Sequence, residues 1–277
     1  MPRTVPEAAA ELTEQAAAKA AAATGPAGYL KSSVLAGVYV GIAVVLLVSV
    51  SAPLAAAGSP VTRLVQGAVF GLALTLVVFA GAELFTGNVM VMLQGLLNRT
   101  VRTSDLAAVW AASLVGNLVG AVGFAAMVNA GGTLSASPMV KAIVAAKDSA
   151  TGPQLFWRSV LCNMLVCLAL WMGARANSDG AKLAVLWWAL LAFIGSGFEH
   201  SVANMTVFAL GVFQGVADWS MLARNLAWTV PGNIVGGGLL VGLLYGWAAR
   251  PAMVKAPVEA IDVVIAPDVA PVTAVSA

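Results

Sequence analysis

Residues 183–213 read LAVLWWALLAFIGSGFEHSVANMTVFALGVF, an apolar run interrupted by Gly195, Ser196, Gly197, Glu199 and His200. One membrane crossing takes about 20 apolar residues, so the run is too long for a single straight helix. Its interruption also places a carboxylate and an imidazole at membrane depth. Such groups cost from about 3 to more than 10 kcal/mol unless they face protein or a water-filled path. Backbone released from helical bonding at that depth must find partners within the protein, because lipid offers none. The stretch therefore reads as a broken membrane helix whose interruption has a purpose.

The same pattern occurs earlier in the chain. Gly81-x-Glu83-x-x-x-x-Asn88 matches Gly197-x-Glu199-x-x-x-x-Asn204, and Gly116-Asn117-x-x-Gly120 matches Gly232-Asn233-x-x-Gly236. Both matches share one offset of 116 residues, which makes chance a poor account. Six apolar segments, at about 34–57, 64–98, 105–130, 155–174, 183–213 and 225–248, put three crossings in each half. Three is odd, so the second half is expected to be inverted relative to the first. Inverted repeats with helices broken at matching positions are a pattern of channels and transporters that bind cargo near the midplane.

Composition agrees. Of the 277 residues, 60% are apolar and only 9% charged, with mean hydropathy +0.92. Soluble domains carry roughly 25% charged residues, so a soluble enzyme, a nucleic-acid-binding domain and a disordered chain are excluded. The net charge of +2 carries no information about partners. Cys162 and Cys167 lie five apart, about 140° round a helix. That spacing suits neither a disulfide nor a shared metal, and both read as packing residues.

Three regions are expected: an interfacial or cytoplasmic N-terminal helix within 1–30, a channel domain at 31–249 and a flexible tail at 250–277. Thr4-Val5-Pro6-Glu7 reads as a capping box with Pro at the first helical position, and Gly25-Pro26 ends that helix. It would lie on the membrane surface or pack beneath the bundle. With both termini cytoplasmic, Arg3, Lys19, Lys31, Arg99, Arg102, Arg175, Lys182, Arg250 and Lys255 fall inside. Arg63, Lys141, Lys147, Arg158 and Arg224 fall outside. Nine against five satisfies the positive-inside rule.

Glu83 and Glu199 are the only carboxylates in the interior of the apolar segments, and they are expected to stabilise the breaks by accepting hydrogen bonds from freed N–H groups. His200 is the only histidine. Its unperturbed pKa of about 6.5 suits proton exchange with a small anion, so it is expected in the pore. A satisfied neutral imidazole is the alternative.

GAELFTGN at 81–88, LCNMLVCLALWM at 161–172, GFEHSVANMTVFALG at 197–211 and PGNIVGGGLLVG at 231–242 together resemble the formate/nitrite transporter family. The similarity spans about residues 30–248, and the stretch at 181–211 is closer to the nitrite channels. The resemblance implies an all-α integral membrane protein. Its protomer would be an aquaporin-like six-helix bundle, an inverted 3+3 repeat with broken helices 2 and 5, assembled as a homopentamer in a bacterial inner membrane. It further implies that His200 is the central pore histidine, held by Asn163 and Asn233, and that Thr86 offers its hydroxyl to the anion. Phe70, Leu74 and Phe193 would form an outer constriction, and Leu84 and Val166 part of an inner one. Lys147, in the outer loop before helix four, would draw anions in. The implied substrates are nitrite first and formate second, together with protons, with no cofactor, metal or nucleic acid.

Other classes fit less well. An intramembrane protease needs Ser and His side chains that meet, whereas Ser201 and His200 are adjacent and point apart. A purely structural protein has no use for two matched polar breaks. A neutral-solute pore of the aquaporin type has the right architecture, but paired Asn-Pro-Ala motifs are missing from the sequence.

Overall fold

A computed structural model describes residues 1–254. Those residues are all-helical outside short connections. The helices are α1 (Val5–Ala23), α2 (Pro26–Ala56), α3 (Thr62–Phe79), α4 (Phe85–Leu97), α5 (Thr103–Ala130), α6 (Pro138–Asp148), α7 (Gly152–Arg175), α8 (Asp179–Gly195), α9 (Ser201–Phe213), α10 (Trp219–Asn233) and α11 (Leu244–Val254). A π-helical stretch, Ile234–Leu243, joins α10 to α11. Among the described residues five helices are long and apolar enough to cross a membrane: Ala27–Ala56, Thr62–Phe79, Thr103–Ala130, Gly152–Arg175 and Trp219–Ala249. α4 and α9 are apolar but shorter, at 13 residues each. The tail expected at 250–277 begins inside α11, and from 255 it lies outside the described residues.

The interruptions in segments two and five are non-helical, at 80–84 between α3 and α4 and at 196–200 between α8 and α9. Each contains a glycine in the left-handed region, Gly81 and Gly197, both at φ 74°. A side chain there would strain the turn.

Small residues set the helix spacing. A Cβ on Gly120 would stand 2.0 Å from the carbonyl oxygen of Val34, and one on Gly236 would stand 2.0 Å from that of Val160. Hence α5 can close on α2, and the π-helical stretch on α7, only without those methyl groups. The glycines of the last rod change partner along its length. Gly232, Gly236 and Gly237 face Phe156, Val160 and Asn163 of α7, while Gly238, Gly242 and Gly246 face Leu93, Met90 and Leu97 of α4.

The Thr4–Glu7 capping box is formed, with Thr4 N–H donating to Glu7 Oε2 at 2.7 Å and Glu7 N–H to Thr4 Oγ1 at 3.4 Å. The Thr4 N–H and the Thr4 hydroxyl, both donating to Glu7 Oε2, hold the Glu7 carboxyl below the usual carboxylate range. α1 buries Ala8, Ala9, Leu12 and Ala16 against the end of the bundle, touching α4, α5, α7 and α11. Arg3 N–H donates to the Arg175 carbonyl at 2.8 Å, and Arg175 Nε returns a bond to the Arg3 carbonyl at 2.9 Å.

Candidate functional site

The two breaks are stapled by asparagines. Phe85 N–H, freed at the start of α4, donates to Asn117 Oδ1 at 2.9 Å, and Asn117 Nδ2 donates to the carbonyls of Glu83 and Ser33 at 2.9 and 2.8 Å. At the second break, Ser201 N–H donates to Asn233 Oδ1 at 3.0 Å. Asn233 Nδ2 donates to the carbonyls of Glu199 and Ser159 at 3.2 and 2.8 Å. Each amide thus satisfies the donor and the acceptor that the lost helical turn left open.

The carboxylates do something else. Glu83 takes Lys19 Nζ at 2.7 Å, the Tyr29 hydroxyl at 2.9 Å and Asn88 Nδ2 at 3.1 Å. Glu199 takes Lys147 Nζ and Asn204 Nδ2, both at 2.7 Å. The expectation that Glu83 and Glu199 cap freed N–H groups is therefore corrected. Their side chains neutralise lysines brought in by α1 and α6, because the asparagines already occupy the backbone groups. Lys147 is also relocated: it sits in the last turn of the short helix α6 rather than in a loop.

His200, the last residue of the second break, is 5% exposed. Its Nδ1 accepts the Ala203 N–H at 3.2 Å, which makes the ring the N-cap of α9. The proton of the neutral ring must then reside on Nε2, 3.0 Å from Thr86 Oγ1. Asn163 and Asn233 do not hold the imidazole directly. Asn163 Nδ2 donates to the Thr86 and Asn233 carbonyls at 3.1 and 2.7 Å, so the two amides fix the backbone on either side. Thr86 is fully buried, its hydroxyl on the ring and not in open space.

His200 borders a cavity of about 10 Å³, walled also by Val40, Phe70, Ala73, Leu74, Leu84, Val166, Leu190 and Phe193. That is room for about one water molecule. All five residues expected at the constrictions meet here. Phe193 stacks on the imidazole with centroids 5.9 Å apart and meets Phe70 edge-on at 5.6 Å.

A larger chamber opens on each side. One, about 240 Å³, is lined by Lys147, Glu199 and Arg158 and shares Phe70, Phe193 and His200 with the central cavity. The other, about 460 Å³, is lined by Lys19, Glu83 and Lys182 and shares Leu74 and Leu84. Leu74 is therefore misplaced in an outer ring. One turn beyond Phe70 on α3, it closes the Lys19 side with Leu84.

Asn117, Lys19 and Tyr29 are site residues that sequence reasoning passed over. For Asn117 the signal was present in its match to Asn233. Lys19 carries no local signal, since its partner lies 64 residues away.

Apolar helices, two stapled breaks and two charged chambers on either side of a small cavity bordered by one buried histidine define a multi-pass membrane protein built around a passage. The family profile described as formate/nitrite transporter matches residues 6–247. The chain belongs to that family. It is 42% identical to the nitrite transporter NirC of Salmonella typhimurium over 84% of this chain and 89% of the relative. Its fold matches a solved FNT family ion channel with TM-score 0.82 and 40% identity, covering 87% of this chain and 98% of that one. A pentameric formate channel with formate bound matches with TM-score 0.71 and 29% identity, over 82% and 98% respectively. These relatives are transporters and channels, not enzymes.

Proposed function

We propose that the chain is a channel or proton-coupled transporter for small monovalent weak-acid anions, nitrite first and formate second. It would work as a homopentamer in a bacterial inner membrane. The likeness to a nitrite transporter at 42% identity favours nitrite, and the bound formate and pentameric assembly of the structural relative support the second substrate and the oligomer. α3–α4 and α8–α9 are read as the broken helices 2 and 5 of an inverted 3+3 repeat. The matched asparagine staples and Lys–Glu pairs support that reading. α1 and α11 touch, which favours both termini on one face, and the basic-residue bias favours the cytoplasm. The Lys147 chamber is then the outer one.

One observation carries the mechanism: His200 Nε2–H is the polar donor at a cavity otherwise walled by apolar side chains. A bare anion there would face an idealised Born cost on the order of 20 kcal/mol. Sharing a proton removes most of it. Thr86 now accepts the Nε2–H bond, and an arriving anion would take its place. Charging the ring fully would need a second proton on Nδ1, where the Ala203 N–H already points. The proton that neutralises the anion therefore comes from chamber water, while the Nε2–H bond shares in stabilising the forming acid. Thr86, Asn163 and Asn233 act as positioning residues.

The test is His200→Asn in proteoliposomes loaded with a pH-sensitive dye. Proton-coupled nitrite uptake should weaken and its pH dependence should flatten, with an anion leak as one outcome. Wild-type flux, pH profile and coupling in the variant would return His200 to a structural role.

A further inference from the structure

The outer chamber holds more positive charge than its salt bridge uses. Arg63, Lys147 and Arg158 line it together with one carboxylate, Glu199. Lys147 is spent, bound to Glu199 at 2.7 Å with both side chains largely buried (16% and 5% exposed). Arg224, at the same end, is spent as well, on the carbonyls of Asp148 and Ala150 at 3.0 and 2.7 Å. The guanidinium groups of Arg63 and Arg158 have no hydrogen-bond or ion-pair partner among the described residues. The inner chamber is lined by two lysines and two carboxylates, of which Glu83 takes Lys19 and Glu11 takes Arg3.

Their placement is specific. Arg63 Nη1 lies 3.7 Å from where a Gly197 Cβ would stand, over the second break. Arg158 accepts the Glu199 N–H on its backbone carbonyl at 3.3 Å and lines the chamber together with Gly197 and Glu199. Arg63 also occupies the first turn of α3, where the helix dipole disfavours a cation. An unpaired cation kept against that field, in a chamber that ends at His200, points to an anionic ligand.

We propose that Arg63 and Arg158 form the anion-capture site of the outer chamber, recognising a planar two-oxygen anion such as nitrite or a small carboxylate through their guanidinium forks. Forked donors match two coplanar oxygens in a way an ammonium does not. The Lys147–Glu199 pair is then a neutral support of the break, and net attraction comes from the arginines. The site rests on the transport reading above and names what that reading leaves open: where the anion first binds.

The experiment uses the full chain with Arg63→Gln/Arg158→Gln and Arg63→Lys/Arg158→Lys. In proteoliposomes, the Gln pair should raise the half-saturating nitrite concentration about ten-fold and flatten the dependence of uptake on ionic strength. The Lys pair should keep the salt dependence yet lose the preference for formate over iodide as competitor. Line broadening of 15N-nitrite on the detergent-solubilised protein reads capture without flux. Broadening by wild type that the Gln pair abolishes supports the site even if the vesicles carry no nitrite, an outcome that would fail the transport reading alone. Equal broadening by wild type and the Gln pair, none by either, or an unchanged half-saturating concentration and salt dependence overturns the site.

Discussion

Replacing Asn117 with alanine tests the stapled break without reference to transport. The side chain accepts from Phe85 N–H and donates to the Glu83 and Ser33 carbonyls. Ser33 lies within α2 and keeps its place in that helix. Phe85 N–H and the Glu83 carbonyl sit at the edge of the break and lose their partner. An orphaned buried backbone group costs about 1–3 kcal/mol, which puts Asn117→Ala about 2–6 kcal/mol below wild type. Side-chain bonds between membrane helices average about 0.6 kcal/mol in double-mutant cycles. Three such bonds sum to about 2 kcal/mol, consistent with the lower limit. Asn117→Asp, the neutral acid at this fully buried position, should fall between, since it still accepts from Phe85 N–H and its single O–H can donate to only one of the two carbonyls. Reversible unfolding in mixed micelles with increasing SDS measures all three proteins. If Asn117→Ala lies within about 0.5 kcal/mol of wild type, the range of a neutral surface change, the staple does not hold the break.

Cysteines placed at the exposed positions Ser135 and Ser178 should label from outside and from inside respectively with an impermeant maleimide; the reverse pattern would invert the proposed orientation. Native mass spectrometry in detergent should give five chains, and a fully active monomer would contradict the assembly. Asp218 caps α10 by accepting from Ser220 and Met221, and the Ser220 hydroxyl and these N–H groups hold its carboxyl below the ordinary value of 3.8. Its contribution to stability is present above the ordinary carboxylate range and lost as pH falls through the depressed folded value. The melting temperatures of wild type and Asp218→Asn should therefore differ at pH 6 and converge as pH drops below 4; a constant gap would refute the cap.

The apolar segments and both interruptions were legible because lipid imposes a length and a polarity rule on every crossing. The capping box of α1 was legible because it is local. α6 was not foreseen, although Ser137-Pro138 is a helix start and Val140 and Val144 supply its buried face. Eleven residues between two long apolar runs read as a loop, and Lys147 went with them. The partners of His200 were illegible for a different reason. Asn163, Asn233 and Thr86 are all near, but which atoms meet depends on helix rotations of a fraction of a turn. Sequence spacing resolves faces, not hydrogen bonds. Lys19 shows the limit most plainly, since its partner Glu83 is reached only because α1 folds back under the bundle.

The rod formed by α10, the π-helical stretch and α11 changes clients halfway. Its first glycines lie on α7 and its last on α4, and the changeover falls where Gly237 faces Asn163 and Gly238 faces Leu93. α7 carries Asn163 and α4 carries Thr86 in its first turn, two residues that frame the histidine. A single continuous rail therefore gauges the separation of the two walls, much as a spacer sets the jaws of a clamp. Any distortion of Ile234–Leu243 would be felt across the passage as a change of bore, without touching a residue that lines it.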